Sequence, residues 1–313
     1  LEEFLSIMPV IAPEKILRDL RELWADLSRD QESSSAVLRA CAMTLIVLAE
    51  DEADAEHARQ ILGVLMHDQP SRAIVLRAVE GADLDARVFA ECWKPFGSRQ
   101  QICSEGIEVT ADAANLGDVA SLLLPLIVPD LPVVLWARGP RFFTSRFFDP
   151  LFPLAGKIIV NSLTAPNAKG ALAVLKELHC RGRRVADLAW TRLTGWREAL
   201  AHEFEQAWLA ESVNIVHGGP PDTSVLYFCR WMERSLPAAR VTLESQPGSP
   251  GLRSVTVHGD RSVVVRLLDG TCLEVETGER ASRSLLPTST DDALMREELS
   301  ILGPDPSFEL VLS

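Results

Sequence analysis

The chain has 313 residues, 47% of them hydrophobic and 24% charged, enough apolar material for one large core or two ordinary ones and too much for a disordered chain. A formal net charge of −13 argues against nucleic acid and anionic membrane as partners, since both need clustered Lys and Arg. The longest apolar runs, 119–128 and 131–137, are cut by prolines or bounded by Asp130 and are too short to cross a bilayer.

Residues 13–28 predict an amphipathic helix opening at Pro13, with Ile16, Leu17, Leu20, Leu23, Trp24 and Leu27 on its apolar face. A polar linker, 31–35, follows. A buried strand is expected over 37–48 and an amphipathic helix over 54–66. Three strands come next, 73–79, 87–93 and 102–109, the first two joined by a Gly81-Ala82-Asp83 turn consistent with a hairpin. Helix 116–127, strand 133–136, an aromatic helical stretch (Phe142, Phe143, Phe147, Phe148), strand 158–160 and helix 168–179 complete an α/β pattern. Strands alternating with long helices imply a largely parallel sheet with flanking helices, made mixed by the strands between 87 and 109.

Past residue 186 the pattern changes. Strand 213–216 and helix 224–236 lead into short strands at 241–244, 254–258, 262–268 and 272–277. Asp269-Gly270 between two of them is a strong hairpin signal, because a type I′ turn needs positive φ at both positions. The expected architecture is therefore an α/β domain over 1–185 with an N-terminal helical arm, followed by a smaller α+β domain over 186–313 with an antiparallel meander.

The chain lacks a Gly-rich dinucleotide fingerprint, a phosphate-binding P-loop, a paired-histidine zinc motif and a nucleophile elbow. No cofactor, metal or catalytic residue is expected from it. The turn His217 to Asp222 reads as a strand-to-helix connection with Asp222 as N-cap. Asp291, Asp292, Glu297 and Glu298 read as charges on a helix face. The six cysteines form no Cys-x-x-Cys pair, and reduced, structural thiols are expected in a soluble cytoplasmic chain without a secretory pattern. Arg72, at the entry to a strand, and Arg138 and Arg141, in the loop after strand 133–136, are candidate contacts for an anion or ligand. The loop is the better placed, because ligands of open α/β sheets collect at the carboxyl ends of strands.

The segment 187–197 has an unusual composition, with Trp190, Arg192, Trp196 and Arg197 inside eight residues. Thr194 can cap a helix whose apolar face runs through Trp196, Leu200, Phe204 and Trp208. Such a segment serves either as a packed element entering a core helix or as a set of binding anchors. It resembles the hallmark of the glucose-6-phosphate dehydrogenase assembly protein family, whose members often carry Pro where Gly195 stands. Pro70, Ser71 and Arg72 leading into a strand, Cys103, Ser104 and Glu105 opening another, and Lys157 to Ser162 resemble further stretches of that family. The resemblance implies a non-catalytic protein that binds glucose-6-phosphate dehydrogenase and supports its active oligomeric state in the oxidative pentose phosphate pathway. Trp190, Arg192, Trp196 and Arg197 would then be partner-binding or interdomain residues. The residues alone also leave open an enzyme or sensor that takes a sugar phosphate or nucleotide in the α/β crevice.

Overall fold

The computed structural model describes residues 12–29, 37–95, 101–204, 209–286 and 289–313, and the chain divides into two compact units, 1–159 and 160–313. The expected linker 31–35 and Trp208 lie outside the described residues.

In the first unit, α1 (Pro13–Arg29) buries Ile16 and Leu20, the face its periodicity predicts. The strand expected over 37–48 is two strands, β1 (Val37–Arg39) and β2 (Met43–Ala49), which take different places in the sheet. Every residue of β2 is buried, which explains why all but Thr44 are apolar. Then come α2 (Glu52–Asp68), β3 (Ser71–Val79), β4 (Asp85–Trp93), β5 (Gln101–Asp112), α3 (Leu116–Leu123), β6 (Val133–Ala137), the short α4 (Arg141–Thr144) and β7 (Lys157–Val160). The α3 helix stops before the expected residue 127, passing into a 3-10 turn over 124–126 that contains Pro125.

The strands run in the order β1-β5-β3-β2-β6-β7, all parallel, while β4 pairs antiparallel with β5. The expected β3–β4 hairpin does not form. β5 lies between those two strands and hydrogen-bonds to both, so the short connection 80–84, with Gly81-Ala82-Asp83 at its centre, carries the chain past β5.

The second unit contains α5 (Ala168–Cys180), β8 (Val185–Asp187), α6 (Leu188–Thr191), α7 (Thr194–Phe204), β9 (Ala210–Gly218), α8 (Thr223–Ser235), β10 (Arg240–Gln246), β11 (Gly251–Gly259), β12 (Ser262–Leu268), β13 (Cys272–Thr277), β14 (Arg280–Leu285), α9 (Asp291–Ser300) and α10 (Pro306–Leu312). Its main sheet runs β10-β9-β11-β12-β13-β14. β9 and β10 are parallel, joined by α8 as a crossover, and β11 to β14 form the expected antiparallel meander. Alternate residues Val213, Ile215, Val255, Val257, Val263, Val265 and Leu273 are buried, which gives the sheet one apolar face. Asp269 (φ 45°) and Gly270 (φ 81°) make the turn between β12 and β13 with the positive φ values a type I′ turn requires. The sequence pattern missed β14, whose six residues are all exposed and carry no alternation.

Candidate functional site

The carboxyl ends of β2 and β6 carry the residues that the crevice reading singled out. Asp51 caps α2 by accepting from the Asp54 amide at 2.8 Å, so α2 opens with Asp51, Glu52 and Asp54. Arg138 donates from Nε to Asp54 Oδ1 at 2.7 Å, and its guanidinium lies 4.4 Å from the centre of the Trp136 ring. Glu50 Oε1 accepts from the Arg141 amide at 2.8 Å, and Arg141 Nη1 donates to the Ala78 carbonyl at 3.1 Å. The Glu50 side chain fills the space beside Gly139: a Cβ there would sit 2.1 Å from Glu50 Cγ, and φ is +76°. Burial raises the Glu50 pKa, with the Arg141 amide bond opposing it. Both arginines are thus tied to protein acceptors, and the acidic first turn of α2 opposes an anion where a helix N-terminus would otherwise attract one.

Arg72 is at the other, amino-terminal end of β3. It donates from Nε to Glu105 at 2.5 Å and from Nη1 to the Leu126 carbonyl at 2.6 Å. The structure therefore groups Arg138 with Arg141 and sets Arg72 apart. Glu105 is 1% exposed and also accepts from Trp24 Nε1 at 2.7 Å and Arg39 at 2.6 Å. Burial pushes its pKa up, but the indole bond and the Arg72 charge outweigh it, so the net shift is downward.

The expectation that the cysteines are reduced is corrected at one pair. Cys92 on β4 and Cys103 on β5 stand directly opposite each other, Cα atoms 4.1 Å apart, and form a disulfide. The sequence put each in a strand but did not reveal their shared register. Cys41, Cys180, Cys229 and Cys272 are free thiols, and burial raises that of Cys229 to about 11.

In the second unit the Trp/Arg segment is packed inward. Trp190 is 1% exposed and donates from Nε1 to Asp305 Oδ2 at 2.7 Å. Its ring meets Phe308 at 5.6 Å and the edge of Tyr227 at 6.2 Å, and the Arg197 guanidinium lies 3.9 Å from its centre. Trp196 is also buried and meets Phe228 edge-on at 6.1 Å. Arg192 donates to the Ser289 carbonyl at 2.5 Å and lies 3.6 Å from Asp291. Thr191 and Thr194 donate to Glu298 and Glu297, each at 2.7 Å. The acids of α9 thus face this segment, and its hydroxyls, guanidiniums and indoles hold α9 and α10. Thr194 is not the first-turn cap expected of it: the helical bonding already starts at Leu193, whose carbonyl accepts from the Arg197 amide.

Sequence reasoning passed over Asp187, the residue that opens this segment. It is fully buried, accepting from the Ser162 amide at 3.0 Å, the Ala189 amide at 2.9 Å and the Tyr227 hydroxyl at 2.7 Å. Burial raises the pKa of both Asp187 and Tyr227. Ser162 in turn donates to Thr223 at 2.6 Å. The only sequence signal was a lone Asp between a strand and a helix. That pattern announces a cap, and Asp187 does cap α6.

Among the described residues, no group of three or more His, Cys, Asp or Glu is placed to hold a metal ion, and no helix is long and apolar enough to cross a membrane. The chain is 26% identical over 190 residues to an OxPP cycle protein OpcA of Nostoc punctiforme, covering 57% of this chain and 40% of that one. To the Synechocystis protein of the same name it is 25% identical over 199 residues, covering 60% and 42%. The chain thus spans less than half the length of these relatives. Among solved structures, a biliverdin reductase from Synechocystis (TM-score 0.46, 10% identity, 87% of this chain and 96% of that chain) and a 3-ketoreductase from Actinomadura kijaniata (0.47, 8%, 88% and 94%) are similar, too remotely to bear on chemistry. Residues 62–177 match the family model described as the glucose-6-phosphate dehydrogenase subunit N-terminal domain, and 183–312 match its C-terminal domain. Matched in order by both domains of one family over most of its length, the chain belongs to the OpcA glucose-6-phosphate dehydrogenase subunit family.

Proposed function

We propose that this chain is a non-catalytic partner of glucose-6-phosphate dehydrogenase that binds the enzyme and supports its assembled, active state. The observation that carries this reading is the match of both family domains, in order, along the chain. The crevice of the first unit supports it too. Asp54 and Glu50 occupy Arg138 and the Arg141 amide, leaving acidic groups where a phosphate would need donors. A binding partner shifts an enzyme toward its active state only by binding that state more tightly, so the effect must saturate with the amount of chain added. Trp190, Arg192, Trp196 and Arg197 act in this reading as the scaffold of the second unit, a role that the burial of both tryptophans supports.

The test mixes the purified chain with the dehydrogenase of the same organism and follows both by size-exclusion chromatography. Co-elution is expected, together with no oxidation of glucose 6-phosphate by the chain alone. A thermal shift of the chain alone separates this reading from a sugar-phosphate or nucleotide sensor. A ligand at 100 times its dissociation constant adds about 2.7 kcal/mol of stability. A shift of that size with glucose 6-phosphate or NADP favours the sensor reading instead.

A further inference from the structure

The nine-residue strand β4 is an edge of the first unit's sheet, pairing among the described residues with β5 alone. Its two faces are covered. Trp24 of α1 reaches Glu105, the register partner of Ala90, which places α1 on the Ala90 and Cys92 face. On the other face, Arg59 of α2 reaches Glu108, the partner of Arg87, and the His67 ring lies 5.0 Å from Trp93. The outer edge is left.

The 4.1 Å Cα separation of Cys92 and Cys103 marks a non-hydrogen-bonded pair. Alternation then turns the amides and carbonyls of Ala86, Val88, Ala90 and Cys92 away from β5. Among the described residues no hydrogen bond reaches these groups. Native proteins usually cover or block so long an edge, because its unpaired groups are a template for another strand.

We propose that this edge pairs with the β4 edge of a second copy of the chain, antiparallel and two-fold symmetric, with Phe89 opposite Phe89. The charges select both the occupant and the register. In this alignment Val88 exchanges hydrogen bonds with Ala90 of the second copy. The closely spaced positions between bring Arg87 against Glu91 of the second copy, and symmetry repeats the pair. Arg87 is 66% exposed on its side chain, and its nearest acid is Asp85 at 3.8 Å on the same strand. Sliding one way sets Asp85 against Glu91, two like charges; sliding the other way sets Arg87 against Trp93 and loses both ion pairs. β4 carries Asp85, Arg87 and Glu91, and in this register its opposite charges fall against each other, so the strand is complementary to itself. Such an isologous contact closes on two copies.

The test is sedimentation velocity of the full chain over a concentration series at physiological ionic strength, where the Debye length of about 8 Å screens the net charge of each copy. Arg87→Glu and Glu91→Arg each turn two attractive cross-strand pairs into repulsive ones, so each is expected to weaken dimerisation about tenfold or more. The double variant restores the pairs with reversed polarity and is expected to dimerise like the parent. Val88→Pro removes an amide that points outward, which the β4–β5 ladder tolerates, and is expected to leave a folded monomer. A parent chain that stays monomeric at every concentration overturns the proposal. So does a dimer indifferent to the single reversals, or a double variant no tighter than the singles.

Discussion

Among the described residues the most deeply buried carboxylate is Glu105 in the first unit and Asp187 in the second, and their neighbours shift their pKa values in opposite directions. Glu105 accepts from Arg72, Arg39 and the Trp24 indole, and its pKa falls despite burial. Asp187 accepts from two amides and a tyrosine hydroxyl, all neutral, and burial raises its pKa. The first is a charge kept by cations, joining α1, β1, β3 and β5. The second is a polar pin of α6 and α8 whose ionisation the core opposes. Polar groups buried this deeply invite a catalytic reading, but each here has its partners within its own unit and ties elements of that unit together.

The largest expected effect probes the packing beside Asp187. Trp190→Ala removes a buried ring, its bond to Asp305 and its contact with Arg197, and should cost about 3–5 kcal/mol in denaturant unfolding. A loss within about 0.5 kcal/mol, the range of ordinary surface changes, would mean that Trp190 does not hold the second unit together.

Next in size is Glu105→Gln. It leaves Arg72 buried without its counter-charge and should cost about 3 kcal/mol at neutral pH. The sign with pH follows from the lowered pKa. The stabilisation by Glu105 is present above the ordinary glutamate value and is lost as pH falls through its depressed folded value. The gap between parent and variant should therefore close on acidification. A gap that stays constant down to acid would contradict the ion-pair account.

The disulfide should have a smaller effect. Reduction of the Cys92–Cys103 bond, which spans a sequence separation of 11, should cost about 2 kcal/mol. Denatured, unreduced protein should give four free thiols, those of Cys41, Cys180, Cys229 and Cys272. Six would show β4 and β5 joined by hydrogen bonds alone.

Smallest is Asp187→Asn. The amide keeps an oxygen for the Ser162 and Ala189 amides and offers its nitrogen to Tyr227, so stability at neutral pH should change by no more than about 1 kcal/mol. Here the sign reverses. An Asp with a raised folded pKa gives its full stabilisation below the unfolded value and loses it as pH rises through the folded value. The variant should gain on the parent as pH rises. A gain on acidification instead would mean that Asp187 is held as a charge, like Glu105.

Local pattern made much of the fold legible. The face of α1, the buried run of β2, the Asp222 cap of α8 and the Asp269-Gly270 turn all follow from periodicity or from residues a few positions apart. Lateral order did not. The Gly81-Ala82-Asp83 turn looks like a hairpin because nothing local reveals that β5 will enter between its strands. The Cys92–Cys103 bond depends on that same register. At the candidate site the missing information is distance along the chain. Trp190 and Arg192 have the composition of exposed anchors, but their partners lie 115 residues away at Asp305 and 97 away at Ser289. Trp and Arg suit an interface and a core for one reason, large area with fixed donors, so composition alone does not separate the two.

The most direct measurement of the functional proposal is the rate of the same organism's glucose-6-phosphate dehydrogenase, titrated with this chain at fixed substrate. The account predicts a rate that rises and saturates with added chain, at a ratio matching the complex seen by chromatography, while the chain alone turns over nothing. A rate unchanged across the titration, with no complex formed, would contradict it.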